Sequence, residues 1–118
     1  MVVSEMVVSK TIIKTELGKI LPTFYELFVD SDTVLPAITY IETSNIDDKV
    51  GDTLGYSRIT YRIKLWASTV ADFDTYSPQI DTAMRGLGFW RINAYETVRG
   101  VELCRTMEYR ALANEFYK

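Results

Sequence analysis

The segment GDTLGYSRITYRIKLW, residues 51–66, has the cleanest periodicity in the chain. The alternating apolar set is Ile59, Tyr61, Ile63 and Leu65, and the polar set is Arg58, Thr60, Arg62 and Lys64. Successive side chains of a β-strand point to opposite faces of a sheet, so a period of two is typical of a strand with one buried face. The pattern predicts a strand from Tyr56 to Trp66 whose apolar face is core and whose basic face is solvated.

Six further elements are predicted around this strand. They are a helix at 5–19, strands at 23–29 and 37–43, a helix beginning near 69 and ending near 87, and strands at 89–96 and 101–111. Gly18 and Pro22 stop the first helix, and Pro36 opens the second strand, where a missing backbone donor costs least. An acidic loop at 44–55 joins the second strand to the third. Arg105 interrupts the apolar face of the last strand, where an inward charge discourages edge pairing or meets a carboxylate.

The second helix contains a proline. Thr69 and Asp72 have the spacing of a capping box, and apolar residues follow at steps of three and four. Pro78 either kinks one continuous helix or is the first residue of a shorter one, and the pattern favours the single kinked helix. Gly86 and Gly88 end it.

The order of elements predicts an α+β fold. It consists of a mostly antiparallel sheet of about five strands with two helices packed on one face, in the order α-β-β-β-α-β-β. A chain of 118 residues is the size of one domain. We therefore expect residues 1–118 to form a single domain, with Asn114–Lys118 as a candidate C-terminal tail.

The composition excludes several kinds of chemistry. The chain has no histidine, which removes Ser-His-Asp and Cys-His catalysis and histidine-assisted zinc sites. Its net charge of -3 has the wrong sign for a protein that binds nucleic acid by neutralising many phosphates. The single cysteine, Cys104, lies in an apolar-patterned segment and is predicted to be a buried, inert thiol. We expect no enzyme, no cofactor, no metal ion and no membrane-spanning segment.

Two short motifs imitate binding sites. The acidic loop offers Asp47, Asp48 and Asp52 as calcium ligands, but Ser57 stands where a bidentate glutamate is needed. The glycines of GLGFW, residues 86–90, follow a helical pattern and precede a strand, which is the reverse of the order in a dinucleotide fingerprint. We interpret the first motif as a solvated loop and the second as a helix stop.

Three segments together resemble small tail-terminator or tail-completion proteins of long-tailed bacteriophages. They are PAITYIETSN at 36–45, GDTLGYSRITYRIKLWAS at 51–68 and IDTAMRGLGFWR at 80–91. The resemblance runs from about Leu21 to Tyr109 and rests on patterns, not on catalytic signatures.

The resemblance implies a structural virion protein. Proteins of that family form a ring, commonly a hexamer, at the head-proximal end of the tail tube. The ring ends polymerisation of the tube protein, offers a surface to the head-side connector, and lets DNA pass without specific binding. It implies a location in the tail or neck of the virion, and in the host cytoplasm during assembly.

Two interpretations of the basic face remain open. Arg58, Arg62 and Lys64 form the solvated side of an ordinary sheet, or they meet acidic groups of a neighbouring subunit in a head-to-tail ring. The candidate acidic partners are Asp47, Asp48 and Asp52, which are alternatively candidates for the lining of the DNA channel. Surface ion pairs contribute only about 0–1 kcal/mol each, so apolar contacts must supply most of the affinity. The candidates for those contacts, each alternatively a core or incidental residue, are Trp66, Trp90, Phe116 and Tyr117.

Other functions fit the same sequence. A head-tail connector component, such as a stopper or head-completion protein, shares the size and the setting. A non-viral adaptor or small-ligand module with an antiparallel sheet is the alternative from another class.

Overall fold

The periodic segment forms the central strand of a five-stranded sheet. The computed structural model describes residues 9–26, 34–50, 53–99 and 102–114. The elements are α1 (Ser9–Gly18), β1 (Thr23–Tyr25), β2 (Ala37–Val50), β3 (Thr53–Ala67), α2 (Val70–Gly86), β4 (Trp90–Arg99) and β5 (Glu102–Asn114). The predicted α+β class and the order of elements are confirmed. None of the helices in the described ranges is long and apolar enough to cross a membrane.

The strands lie in the order β1-β2-β3-β5-β4. β2, β3, β5 and β4 are joined by antiparallel pairing, whereas β1 pairs with β2 in parallel. β3 is hydrogen-bonded on both sides, to β2 from Thr53 to Trp66 and to β5 from Tyr56 to Ala67. The sheet is therefore mixed, with a single short parallel pair at one edge.

Both helices cover the apolar face of β3. Cross-strand partners share a face, so the buried row of β3 continues through Ile38 and Tyr40 of β2 and through Met107 and Tyr109 of β5. The helices contribute the buried side chains Ile13, Leu17, Phe73, Ile80 and Met84 to the same cluster. Burial of a side chain of this size stabilises the fold by roughly 1.5–3 kcal/mol. The two-layer arrangement thus follows from the alternation in β3.

α2 is one helix with Pro78 inside it, as the pattern favoured. The predicted capping box is not formed, because Thr69 makes no side-chain cap bond. Asp72 instead accepts a hydrogen bond from the backbone N–H of Ser68, at 3.4 Å. The C-terminal end closes as a Schellman motif, in which the N–H of Phe89 donates to the carbonyl of Met84 at 3.0 Å.

A cluster of polar and charged side chains around Asp81 joins α2 to strands β5 and β4. The buried Tyr109 hydroxyl donates to Asp81 at 2.9 Å, and Arg85 donates to the other carboxylate oxygen at 2.7 Å. Arg91 of β4 lies 3.7 Å from the carboxylate. Burial alone would raise the pKa of Asp81, but the bonds from Arg85 and Tyr109 outweigh it and lower the pKa. The carboxylate therefore stays charged where helix and sheet meet.

The predicted acidic loop at 44–55 is wrong. β2 continues to Val50 and β3 begins at Thr53, so most of this stretch is a long antiparallel hairpin. Asp47 and Asp48 lie in β2, in register with Ser57 and Tyr56. Polar residues of low strand preference are kept in a strand because their backbone groups pair with the first part of β3. The two residues between these strands, Gly51 and Asp52, lie outside the described ranges.

Arg105 meets a carboxylate, as one of the two interpretations predicted. Its guanidinium lies 2.9 Å from Glu96, the residue opposite it in the β4–β5 pair.

The helix predicted at 5–19 is described from Ser9 onward, and its earlier residues lie outside the described ranges. The strand predicted at 23–29 is described only as the three residues of β1.

The two glycines at the end of α2 should respond oppositely to alanine. Gly88 has φ of 95°, a conformation that costs other residues about 1–2 kcal/mol, whereas Gly86 is helical with open space around its Cα. We expect Gly88→Ala to lower the free energy of unfolding by about 1 kcal/mol and Gly86→Ala to raise it by about 0.5–1 kcal/mol. Chemical denaturation of both variants measures this, and equal effects of one sign would contradict the assigned helix end.

Candidate functional site on the helix-free face of the sheet

The sheet face opposite the helices carries the polar residues of β3, and we call it the helix-free face. Its register follows from the cross-strand pairs, in which Lys64 lies between Thr39 of β2 and Thr106 of β5. The two threonines are almost fully buried. The predicted solvated face is therefore only partly exposed, with short buried side chains at its centre and long charged ones around them.

Glu26, directly after β1, is paired with two of the basic residues. Arg62 donates to one carboxylate oxygen at 3.1 Å, and Lys64 lies 3.1 Å from the other. The carboxylate side chain is 19% exposed. Burial alone would raise the pKa of Glu26, but the hydrogen bonds from Lys64 and Arg62 outweigh it and lower the pKa. The three charges of this ion triad sum to one positive charge, because Glu26 neutralises one of its two basic side chains.

Trp66 extends the triad along β3. Its indole N–H donates to the hydroxyl of Thr39 at 3.0 Å, which fixes the ring over β2. The ammonium group of Lys64 lies 5.7 Å from the centre of the ring, within the range of a cation–π contact. The ring is thus held in place by two polar contacts and remains half-buried.

A groove lies beside the ion triad, between β3 and the outer strand β4. Its volume is about 450 Å³. It is lined by Arg62, Lys64, Trp66, Tyr95, Thr97, Val98, Cys104 and Thr106. Burial raises the pKa of the Cys104 thiol, which is consistent with the predicted inert cysteine. The groove offers cations at one end, aromatic walls, and a floor of short polar side chains.

The opposite end of the helix-free face is apolar and basic. Arg58 lies in one row with Ile46 and Leu112, and both of these apolar side chains are exposed. In the adjacent row Arg110 lies beside Trp90 and donates to the hydroxyl of Thr60 at 3.2 Å. Exposed aliphatic and tryptophan side chains next to arginines are typical of protein interfaces.

The structure brings five of the ten predicted interface or channel residues to one face. Arg58, Arg62, Lys64 and Trp66 share it with Trp90. Asp47 and Asp48 lie near the tip of the β2–β3 hairpin, not in a loop. Three other predicted residues, Asp52, Phe116 and Tyr117, lie outside the described residues.

Two features of the sheet were not predicted from the sequence. Glu26 lies in a predicted strand, and nothing in its spacing indicates that it reaches β3. The exposed side chains Ile92, Tyr95 and Val98 all belong to β4, which is an edge strand in the described sheet. The mixed pattern of β4, where apolar residues fall on both faces, was the available signal.

The described residues hold no group of three potential metal ligands. Several of their charged groups form ion pairs with one another, as in the ion triad and the Asp81 cluster.

Comparisons with known proteins give a likeness of fold. No protein-family model matches the sequence, and no curated protein matches it. Among solved structures, the chain is similar to a chain in the virion of a native gene transfer agent particle. The TM-score is 0.64 at 11% sequence identity, and the likeness covers 96% of this chain and 92% of that chain.

Removing the charge of Glu26 should destabilise the fold in a pH-dependent manner. We expect Glu26→Gln to lower the free energy of unfolding at pH 7 by about 1–2 kcal/mol, because Arg62 and Lys64 lose their partner. The pKa of Glu26 is lower when folded, so this contribution is present above the unfolded pKa and is lost as the pH falls through the folded pKa. The difference between wild type and variant should therefore shrink towards acidic pH.

The control for this variant is Glu16→Gln. The ion pair of Glu16 with Lys19 is also short, at 2.7 Å, but both side chains are more exposed. We expect Glu16→Gln to change the free energy of unfolding by no more than about 0.5 kcal/mol. Equal losses in the two variants, measured by urea denaturation at pH 7 and pH 4, would contradict a stabilising role for the ion triad.

Proposed function

We propose that this chain is a structural component of a phage-like virion. The observation that carries the proposal is the likeness to a chain of the gene transfer agent virion over nearly the full length of both chains. The absence of histidine from the sequence and the paired state of the described charges in the ion triad favour a protein that acts through its surface. Its partners would then be other virion proteins.

Within the virion, we place the chain at the head-proximal end of the tail tube. The motifs quoted above resemble those of tail terminators, and the fold agrees with the one that this resemblance implies. In this role a ring of copies, six in the family's common arrangement, ends polymerisation of the tube protein. The opposite side of the ring offers the joining surface to the head-side connector, and DNA passes through its opening.

The helix-free face supplies a surface suited to such contacts. Its exposed end combines Ile46, Leu112 and Trp90 with Arg58 and Arg110. The apolar side chains would supply most of the affinity, and the arginines would select the orientation of an acidic partner. Because Arg62 and Lys64 already bind Glu26, the two side chains together contribute only one net positive charge to such a contact.

Deleting the gene in the phage or prophage that encodes this chain tests the proposed role. Loss of a tail terminator should give tubes of uncontrolled length, because nothing ends polymerisation. Loss of a connector component should instead give tails of normal length that are not joined to heads. Electron microscopy of the lysate measures tube length and head attachment, and tails of normal length on intact particles would overturn the proposal.

Gold labelling of a tagged chain locates it independently of the deletion. We expect label at the junction of tail and head, in several copies per particle. Label along the tube, at the distal tip, or absent from particles would contradict the proposed position.

The hairpin aspartates have two candidate roles that one variant separates. We expect the triple variant Asp47→Asn, Asp48→Asn and Asp52→Asn to weaken ring assembly about tenfold if they pair with a neighbouring subunit, since exposed ion pairs contribute only about 0–1 kcal/mol each. If they line the channel, rings should form normally. Analytical ultracentrifugation measures the assembly, and Asp74→Asn with Glu16→Gln is the control for loss of negative charge on the helices.

A further inference from the structure

The described sheet has two long edges that no described strand covers. β4 is the last strand on one side and pairs only with β5. On the other side, β1 pairs with β2 only at Ile38, Thr39 and Tyr40. Within the described residues, β2 therefore has an uncovered edge from Ile41 to Val50. Uncovered edges present rows of backbone donors and acceptors to other chains.

The two edges run in opposite directions. β2, β3, β5 and β4 are joined by three successive antiparallel pairs, so β4 is antiparallel to β2. If a second copy is generated by rotation about an axis roughly parallel to the strands, every strand keeps its direction. The rotation would place β4 of one copy beside β2 of the next as an antiparallel pair, which needs no change in either strand.

The edges also match in length and differ in charge. β4 spans ten residues, and the uncovered part of β2 spans the ten from 41 to 50. The β2 segment contains Glu42, Asp47 and Asp48 against one lysine, whereas β4 contains two arginines against one glutamate. A negative edge facing a positive one favours pairing of unlike edges over pairing of like edges.

Exposed apolar side chains mark β4 as an edge that is covered in the working form of the protein. Trp90, Ile92 and Tyr95 are each about 40% exposed, and Val98 is 71% exposed. Lysine, proline and short length, which blunt many edge strands, are absent from β4, and its one irregularity is the register shift between Arg91 and Asn93. These apolar side chains, which lie on both faces of β4, would bury area in addition to the backbone hydrogen bonds.

We propose that the partner of β4 is β2 of a second copy of this chain, so that the sheets of successive copies join edge to edge. The pairing is head-to-tail, because a different edge of each copy takes part, and it closes into a ring when the rotation between copies closes. The inference rests on the proposed ring, whose contacts between copies it identifies.

Disulfide trapping tests the pairing. Cross-strand partners share a face, so the two registers nearest to centred pairing of the ten-residue edges place Tyr95 opposite Ser44 or opposite Ile46, and all three lie on the helix-free face. We expect oxidation of a mixture of Tyr95→Cys and Ser44→Cys chains to give on the order of tenfold more mixed dimer than homodimer of Tyr95→Cys. A parallel mixture with Ile46→Cys covers the neighbouring register. The native Cys104 is buried and stays in place.

The matched control replaces the β4 cysteine by Val70→Cys. Val70 is 65% exposed but lies in the first turn of α2, away from both edges. The edge pairing would be overturned if neither Ser44→Cys nor Ile46→Cys gave more mixed dimer with Tyr95→Cys than with Val70→Cys. Predominant dimers of Tyr95→Cys with itself would also overturn it, because they indicate pairing of like edges.

Single charges on the edge give a second readout. Val98→Lys should reduce the mixed dimer at least about fivefold, since a lysine in an edge strand opposes pairing, whereas Val70→Lys should leave it unchanged.

Cross-links in purified virions separate this inference from the proposed function. A chain present at the tail–head junction in several copies without the β4–β2 cross-link overturns the edge pairing and leaves the function standing. Cross-linked rings of purified chain with no chain in virions overturn the function and support the pairing.

Discussion

The buried row of β3 is the constraint on which the rest of the structure depends. Ile59, Tyr61, Ile63 and Leu65 are all almost fully excluded from solvent. A shift of one residue in the register of β3 would turn this row to the helix-free face and bring Arg62 and Lys64 under the helices, where unpaired charges cost several kcal/mol. Since β2 and β5 both pair with β3 along most of its length, their faces are fixed by the same row.

The same constraint determines the chemistry of the helix-free face. Basic residues of β3 must lie there, and in a chain of net charge -3 they find a carboxylate within the chain. Glu26 serves this purpose and so ties the short β1 to the centre of the sheet. A three-residue parallel strand has few hydrogen bonds of its own, so we regard this ion triad as an important part of what holds β1 in place. The face is therefore less basic than the sequence of β3 indicates.

The sequence was sufficient for the class of fold and for the buried face, because both depend on local periodicity. The period of two in β3 and the period of three and four in α2 each identify an element without reference to the remainder of the chain. Asp47 and Asp48 were assigned to a loop because their strand conformation depends on pairing with β3. The local residue preferences on which the prediction was based contain no information about that pairing. Glu26 was missed for the same reason, since its two partners lie 36 and 38 positions away in sequence.

The edges that the described strands leave uncovered raise the question of why such a chain would not form open filaments. Both edge strands contain a register shift, between Glu42 and Ser44 in β2 and between Arg91 and Asn93 in β4. An irregularity of this kind bends and twists its strand, so a flat strand from an unrelated protein fits poorly against it. Two irregular edges fit each other in few registers, which limits pairing to a defined angle between copies. A fixed angle of suitable size closes a ring, after which no β4 or β2 edge is left to add further copies.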